Sequence, residues 1–355
     1  MVLNEGIELK EVVLQDTTVI ADVLQHVYYS NKPFPLYPNL VERNNTLSGP
    51  QPHALAHLIC LFLELFCDEF LPIIAMHMRW NHEENQEYIF KEFGATSNPQ
   101  GTPLEQLESG KNVAKYFKGV VPKLGVSPSN MEGVEILSHE MMDLLDAHFS
   151  REPYLLGDAP FLCDYALVGP FYAHLYLDPF PGHRRMRERW PHLVDYLEKM
   201  HVTVTQNPDQ ICNTPHWLGI RQQSESQKCM QLEEQHNIAF PNLSANFPLR
   251  LSDSLADIVG FASKNQFPIL CASAHALIAF ADSLRPKQTK IPRGVGEINF
   301  TLSNDVIGSR AALSYSLWQS QRVLDYFRRE PLCAAFLDSQ DVNLSLSKGS
   351  REQLR

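Results

Sequence analysis

The sequence predicts a mainly α-helical protein, and three observations carry that prediction. Leu55, Leu58, Ile59, Phe62, Leu65, Phe66, Phe70 and Ile73 recur at three- and four-residue steps, the spacing of one helical face. Val134, Leu137, Met141, Leu144 and Leu145 repeat the pattern further along. Only GEINFTL and SRAALSY, on either side of SNDVIG, alternate as strands do, and they predict a single β-hairpin.

The elements follow in order. Val12 to Leu14 reads as a short strand, and Asp16 or Thr17 then caps a helix carrying Ile20, Val23 and Leu24. Residues 31–50, with Pro33, Pro35 and Pro38, form a linker. The helix from Leu55 should kink or break at Pro72, with Glu64 and Asp68 on its solvent face. Further helices are expected over 103–121 and 130–149, the second opened by a Ser129/Glu132 capping box. Residues 190–204 close an all-helical block spanning 51–220. A polar linker, 221–242, leads to an α+β region over 243–340, with helices at 252–263 and 266–284, the hairpin, and a last helix holding Leu317, Trp318, Val323, Leu324 and Phe327. Residues 341–355 read as a disordered tail.

Composition narrows the function classes. The 355 residues carry a formal charge of −11, which disfavours a nucleic-acid partner. Seven cysteines with no CxxC suit reduced, buried thiols in the cytoplasm. No membrane span is expected: the apolar run at 58–76 contains Glu64, Asp68 and Glu69, and the run at 269–281 falls short of the roughly 20 residues a crossing takes.

The segment YLLGDAPFLCDYALVGPFYAHLYLDPFP (154–181) says most about scaffold. A carboxylate at Asp164, three residues into a helix, accepts from the amides of the first turn. The stretch resembles the central buried helix of the glutathione S-transferase C-terminal domain, where that aspartate is a folding cap and its capping partner is a Ser or Thr; here Phe161 takes that place. CDEFLPIIAMHMRW and FYAHLYLDPFPG are similar to a bacterial-type subfamily with a C-terminal extension. The resemblance implies a transferase-type helical bundle over 51–220, preceded by a truncated thioredoxin-like remnant (1–30) and followed by the small α+β region.

Within that resemblance, LQDTTVIADVL is similar to the last strand-to-helix turn of the thioredoxin-like domain, which implies Asp16 and Thr17 as glutathione-binding residues with Ile20 buried behind them. A helix N-terminus offers amides to a carboxylate, and an aspartate can meet an ammonium. The other reading of both residues is a plain helix cap. Fourteen residues before Gln15 do not hold a first βαβ unit, so the thiol-activating residue is not placed and no catalytic residue is assigned. Three readings stay open. One is a transferase using glutathione as co-substrate on an apolar electrophile held by Met76, Met78 and Trp80. The others are a non-catalytic module that pairs with itself or a protein partner, and the product of an incomplete gene model.

Other constellations carry less. His53 and His57 share a helix face and His77 and His82 flank Trp80, but no acidic residue is spaced along the chain to complete a metal site, so no metal or resident cofactor is expected. HEMMD (139–143) resembles a zinc motif yet ends in Asp143, and its methionines suit a core. Cys163, in the first turn of the central helix, reads as packing rather than nucleophile. Arg310, Arg322, Arg328 and Arg329 could meet an anion or a partner, but read more simply as solvated helix and hairpin faces.

Overall fold

The computed structural model describes residues 17–27, 52–157, 160–205, 251–283 and 292–329. The protein is mostly helical, with one two-stranded antiparallel sheet among the described residues. Eleven residues form α1 (Thr17–Val27), and α2 (Pro52–Glu69) is the central helix of the bundle. Pro72 acts as expected: it sits in the first turn of α3 (Leu71–Asn81), where its missing N–H would have no helical partner anyway, and Phe70 forms the corner.

Helices α4 (Gln86–Ser97) and α5 (Pro103–Lys118) pack closely because two glycines permit it. A Cβ on Gly94 would lie 2.0 Å from the Gln106 carbonyl oxygen, and one on Gly110 would lie 1.9 Å from that of Phe90. A capping box opens α5: the Glu105 amide donates to Thr102 Oγ1, while the Thr102 amide donates to Glu105 Oε2.

The expected capping box at the start of α6 (Met131–Phe149) does not form. Asn130 is the cap residue and makes no side-chain bond into the helix. Its Oδ1 accepts from the Ser127 amide, and its Nδ2 donates at 2.8 Å to the carbonyls of Gly125 and Ile307. Ser129 instead bonds the Ser127 hydroxyl. Position 130 is thus committed to joining the bundle to the C-terminal hairpin. Gly125 supports the same joint: its φ of 96° ends the preceding turn, and a Cβ there would meet the Phe300 ring at 2.6 Å.

The central segment forms α7 (Leu162–Pro170), continuing as a π-helical turn over Phe171–Tyr176. Next come α8 (Gly182–Arg189) and α9 (Pro191–Thr205). The two helices expected at 252–263 and 266–284 are one, α10 (Asp253–Ser283), of 31 residues with Pro268 inside it. Its middle is tied down where the break was expected: Asn265 Nδ2 donates to the Phe261 carbonyl, and its Oδ1 accepts from the Ser303 amide. The hairpin is present as β1 (Gly294–Thr301) and β2 (Ile307–Leu313), with Ile298 opposite Arg310 and Phe300 opposite Gly308. Helix α11 (Ser314–Arg329) closes the described chain.

One hydrophobic core unites the two regions. Leu58 and Phe66 of α2 and the corner residue Phe70 share it with Ile258, Phe261 and Ile269 of α10 and with Ile298 and Phe300 of β1. Three placements depart from the sequence reading. Glu64, expected on the solvent face of α2, is buried, because α1 and α11 cover that face. Arg310, expected on a solvated hairpin face, is 4% exposed, since it points from β2 to the same side as Ala312 and Gly308. Arg322 is mostly buried as the partner of Glu64. Among the described residues no helix is long and apolar enough to cross a membrane. Residues 28–51, 206–250 and 330–355, which hold both expected linkers and the expected tail, lie outside the described residues.

Candidate functional site

The N-terminus of α7 is built as its sequence implies. Asp164 Oδ2 accepts from the Phe161 amide at 2.9 Å, and Oδ1 accepts from the Leu155 amide at 2.9 Å and from the Tyr196 hydroxyl at 3.0 Å. Phenylalanine has no acceptor, so only the carboxylate half of a capping box exists; the Phe161 ring is buried in the core instead. Burial raises the Asp164 pKa to about 6 against the lowering pull of its amide and hydroxyl donors. By accepting these bonds the carboxylate ties Leu155 and Phe161 to the start of α7 and to Tyr196 of α9.

The start of α1 is divided. Asp16 lies outside the described residues, and Thr17 is exposed as the first residue of the helix. Thr18 is buried: its hydroxyl donates to Glu64 Oε1 at 3.2 Å and accepts from Gln319 Nε2 at 3.4 Å. Arg322 completes the group, donating to Glu64 Oε2 at 3.1 Å. Ile20, expected inside, is 37% exposed, because the buried stripe of α1 runs through Thr18 and Ala21 and turns residue 20 outward.

The residues expected to hold an apolar electrophile separate. Met78 is buried in the core, while Met76 and Trp80, one turn apart, face together, and the indole N–H donates to Met76 Sδ at 3.3 Å. Trp80 stacks on Phe117 with ring centroids 5.6 Å apart and tilts against Phe93. Its ring, with Ile89, Phe90 and Ala114, floors an open cavity of about 260 Å³. Lys111, Lys115 and Lys118 of α5, at three- and four-residue spacing, line it, with the Lys111 ammonium 3.6 Å from Glu108 Oε2. The lysine rim has no signal in the sequence until α4 and α5 are known to pair.

Residues 134–201, from α6 through α9, match the family model described as "Glutathione S-transferase, C-terminal domain". The chain carries a glutathione S-transferase C-terminal domain. No curated protein and no solved structure matches the chain.

Within the transferase-type domain, Cys163 is fully buried beside Cys60, and burial pushes its thiol well above the ordinary range, the opposite of an activated nucleophile. Met141 and Met142 of the HEMMD run lie in the core, and Asp143 accepts from the Trp190 indole N–H at 2.6 Å. His77 and His82 do come together, and the acidic partner absent from their own stretch of chain is Glu135 of α6, whose Oε1 lies 3.3 Å and 3.4 Å from their Nε2 atoms. Sequence spacing cannot reveal it, since it lies 58 residues from His77 and on another helix.

Proposed function

We propose that the protein is glutathione-transferase-like, taking glutathione as co-substrate at the start of α1 and a small apolar electrophile in the Trp80 cavity. The observation that carries this reading is the transferase C-terminal domain over 134–201, with Asp164 making the carboxylate half of its helix cap. In such an enzyme the helical domain supplies the second substrate's site. An aromatic floor under three lysines suits a flat, electron-poor molecule that develops negative charge as a thiolate adds to it. Asp16 and Thr17 are assigned to the γ-glutamyl end of glutathione.

The experiment is retention on glutathione-agarose together with conjugation of a chloronitrobenzene. Retention that is lost in Asp16→Ala and Thr17→Ala supports the assignment. Conjugation with a KM raised several-fold in Lys115→Ala, and little change in kcat, supports the cavity as the electrophile's site.

A second reading has an observation in its favour. Thr18 is committed to the buried Glu64–Arg322 group, so α1 also serves as a strut between α2 and α11. A scaffold that binds a protein partner or a second copy and conjugates nothing needs no more than this. Absence of both retention and conjugation, with Asp16→Ala indistinguishable from the parent, would decide for it.

A further inference from the structure

We propose that His77, His82 and Glu135 form a binding site for a divalent transition ion of the zinc class, with one coordination position left to water. The site arises because α3 stops where it does. Five residues of continuous helix would turn His82 roughly 140° away from His77. Instead α3 ends at Asn81, and His82 is extended (φ −90°, ψ 123°), which swings its ring back until the two imidazole centroids are 5.6 Å apart. Phe180 stacks on the outer face of His82 at 4.1 Å and holds it there. Glu135 then enters from α6.

Three donor atoms converge. Both Nε2 atoms approach the same carboxylate oxygen, at 3.3 Å and 3.4 Å, and all three ligand atoms lie within 4.8 Å of one another. Metal–ligand bonds of about 2.0–2.1 Å at tetrahedral angles place neighbouring ligand atoms about 3.3–3.4 Å apart, so two of the three edges already have the required length. The third closes by a small approach of the His82 ring. His82 Nε2 makes no hydrogen bond among the described residues, and its lone pair has no other assigned use.

The surroundings suit a cation. Two imidazoles and a carboxylate give the donor set a charge of −1 when both rings are neutral, the form in which histidine ligates a metal. Behind His77, Asn81 Nδ2 lies 2.9 Å from Nδ1. A flip of that amide on metal binding would let Oδ1 accept from Nδ1–H, the outer-shell bond that fixes a ligating histidine with Nε2 toward the metal. His77 is 1% exposed, whereas the side chains of His82 and Glu135 are 20% and 38% exposed. The ion would be anchored from the protein side and open to water on the other. Two histidines and one glutamate with an open fourth position select zinc-class ions over calcium or magnesium, which prefer all-oxygen shells.

The test uses the full chain stripped with a chelator, titrated with Zn²⁺ in competition with a chromogenic chelator and with Co²⁺ by visible absorption. The parent is expected to bind one equivalent that His82→Ala and Glu135→Gln lose or bind at least about 100-fold more weakly, since loss of an outer-shell partner alone costs about 10–100-fold. Asn81→Ala should weaken that equivalent about tenfold, and exposed His183→Ala should leave it unchanged. Glu135→Gln keeps size at a half-exposed position, and its circular dichroism checks the fold. Equal affinity and stoichiometry in the parent, His82→Ala and Glu135→Gln would overturn the proposal. So would loss of the equivalent in His183→Ala alone.

Discussion

Two buried carboxylates hold this molecule together in opposite ways. Asp164, at the start of α7, is fully buried and bonded by neutral donors, two amides, a phenol and, at 3.9 Å, the Cys163 thiol. Glu64, in the middle of α2, is 2% exposed and bonded by the Arg322 guanidinium and the Thr18 hydroxyl. The donors to Asp164 lie 1, 3, 9 and 32 residues away, whereas those to Glu64 lie 46 and 258 residues away. The first is a local device that organises one helix end. The second is a rivet that fastens α1 and α11 to the bundle, and without a counter-ion that position would not tolerate a charge.

Removing the acceptor at the local device should have the largest effect. Asp164→Ala strands two buried amides, each costing about 1–3 kcal/mol when unpaired, and leaves the Tyr196 hydroxyl with only the residue-164 carbonyl at 3.3 Å. Part of this is offset by removing a poorly solvated charge. A net loss of about 3–5 kcal/mol is expected in urea denaturation at neutral pH. A loss below about 1 kcal/mol would mean that the Leu155 and Phe161 amides find other acceptors.

Breaking the rivet should come next. Arg322→Ala leaves Glu64 buried without the guanidinium, with an expected loss of about 2–4 kcal/mol. The comparison is sharpened by the pair Glu64→Leu with Arg322→Met, which removes both charges and should recover most of that loss, because hydrophobic replacements of buried ion pairs are often neutral or stabilising. Failure of the pair to recover would show that Thr18 and Gln319 depend on the Glu64 carboxylate itself.

The same contrast explains what the sequence revealed. Asp164, Phe161 and the break at Pro72 were legible because the forces acting on them operate within one helical turn. The hairpin was legible because strand alternation and a polar turn are local as well. Glu64 was misassigned to solvent because its helical phase could not announce that α11, more than 200 residues later, would cover it. The Ser129/Glu132 pattern satisfied a capping rule, yet Asn130 was committed to Ile307 across 177 residues and the box did not form. Glu135 was invisible as a partner of His77 and His82 for the same reason. The lysine rim of the Trp80 cavity likewise exists only once Gly94 and Gly110 let α4 and α5 approach.

The smallest effect, and the most diagnostic, is the pH dependence of Asp164. Its folded pKa, raised to about 6, stands above the ordinary carboxylate value near 3.8. As pH rises between those values the unfolded chain gives up this proton while the folded protein keeps it. The group's contribution to stability is therefore full below about pH 4 and is lost as pH rises through 6. Integrated from pH 5 to pH 7, this amounts to about 1 kcal/mol, since each unit of difference is worth 1.36 kcal/mol. Other carboxylates titrate in the same range, so the quantity to measure is the difference between the parent and Asp164→Asn in denaturation free energy at each pH. Asparagine cannot ionise, and that difference should move against the parent by about 1 kcal/mol between pH 5 and pH 7. A flat difference curve would mean that the two amides and Tyr196 compensate fully for burial. Neutral donors would then serve a buried charge as well as the guanidinium beside Glu64 does.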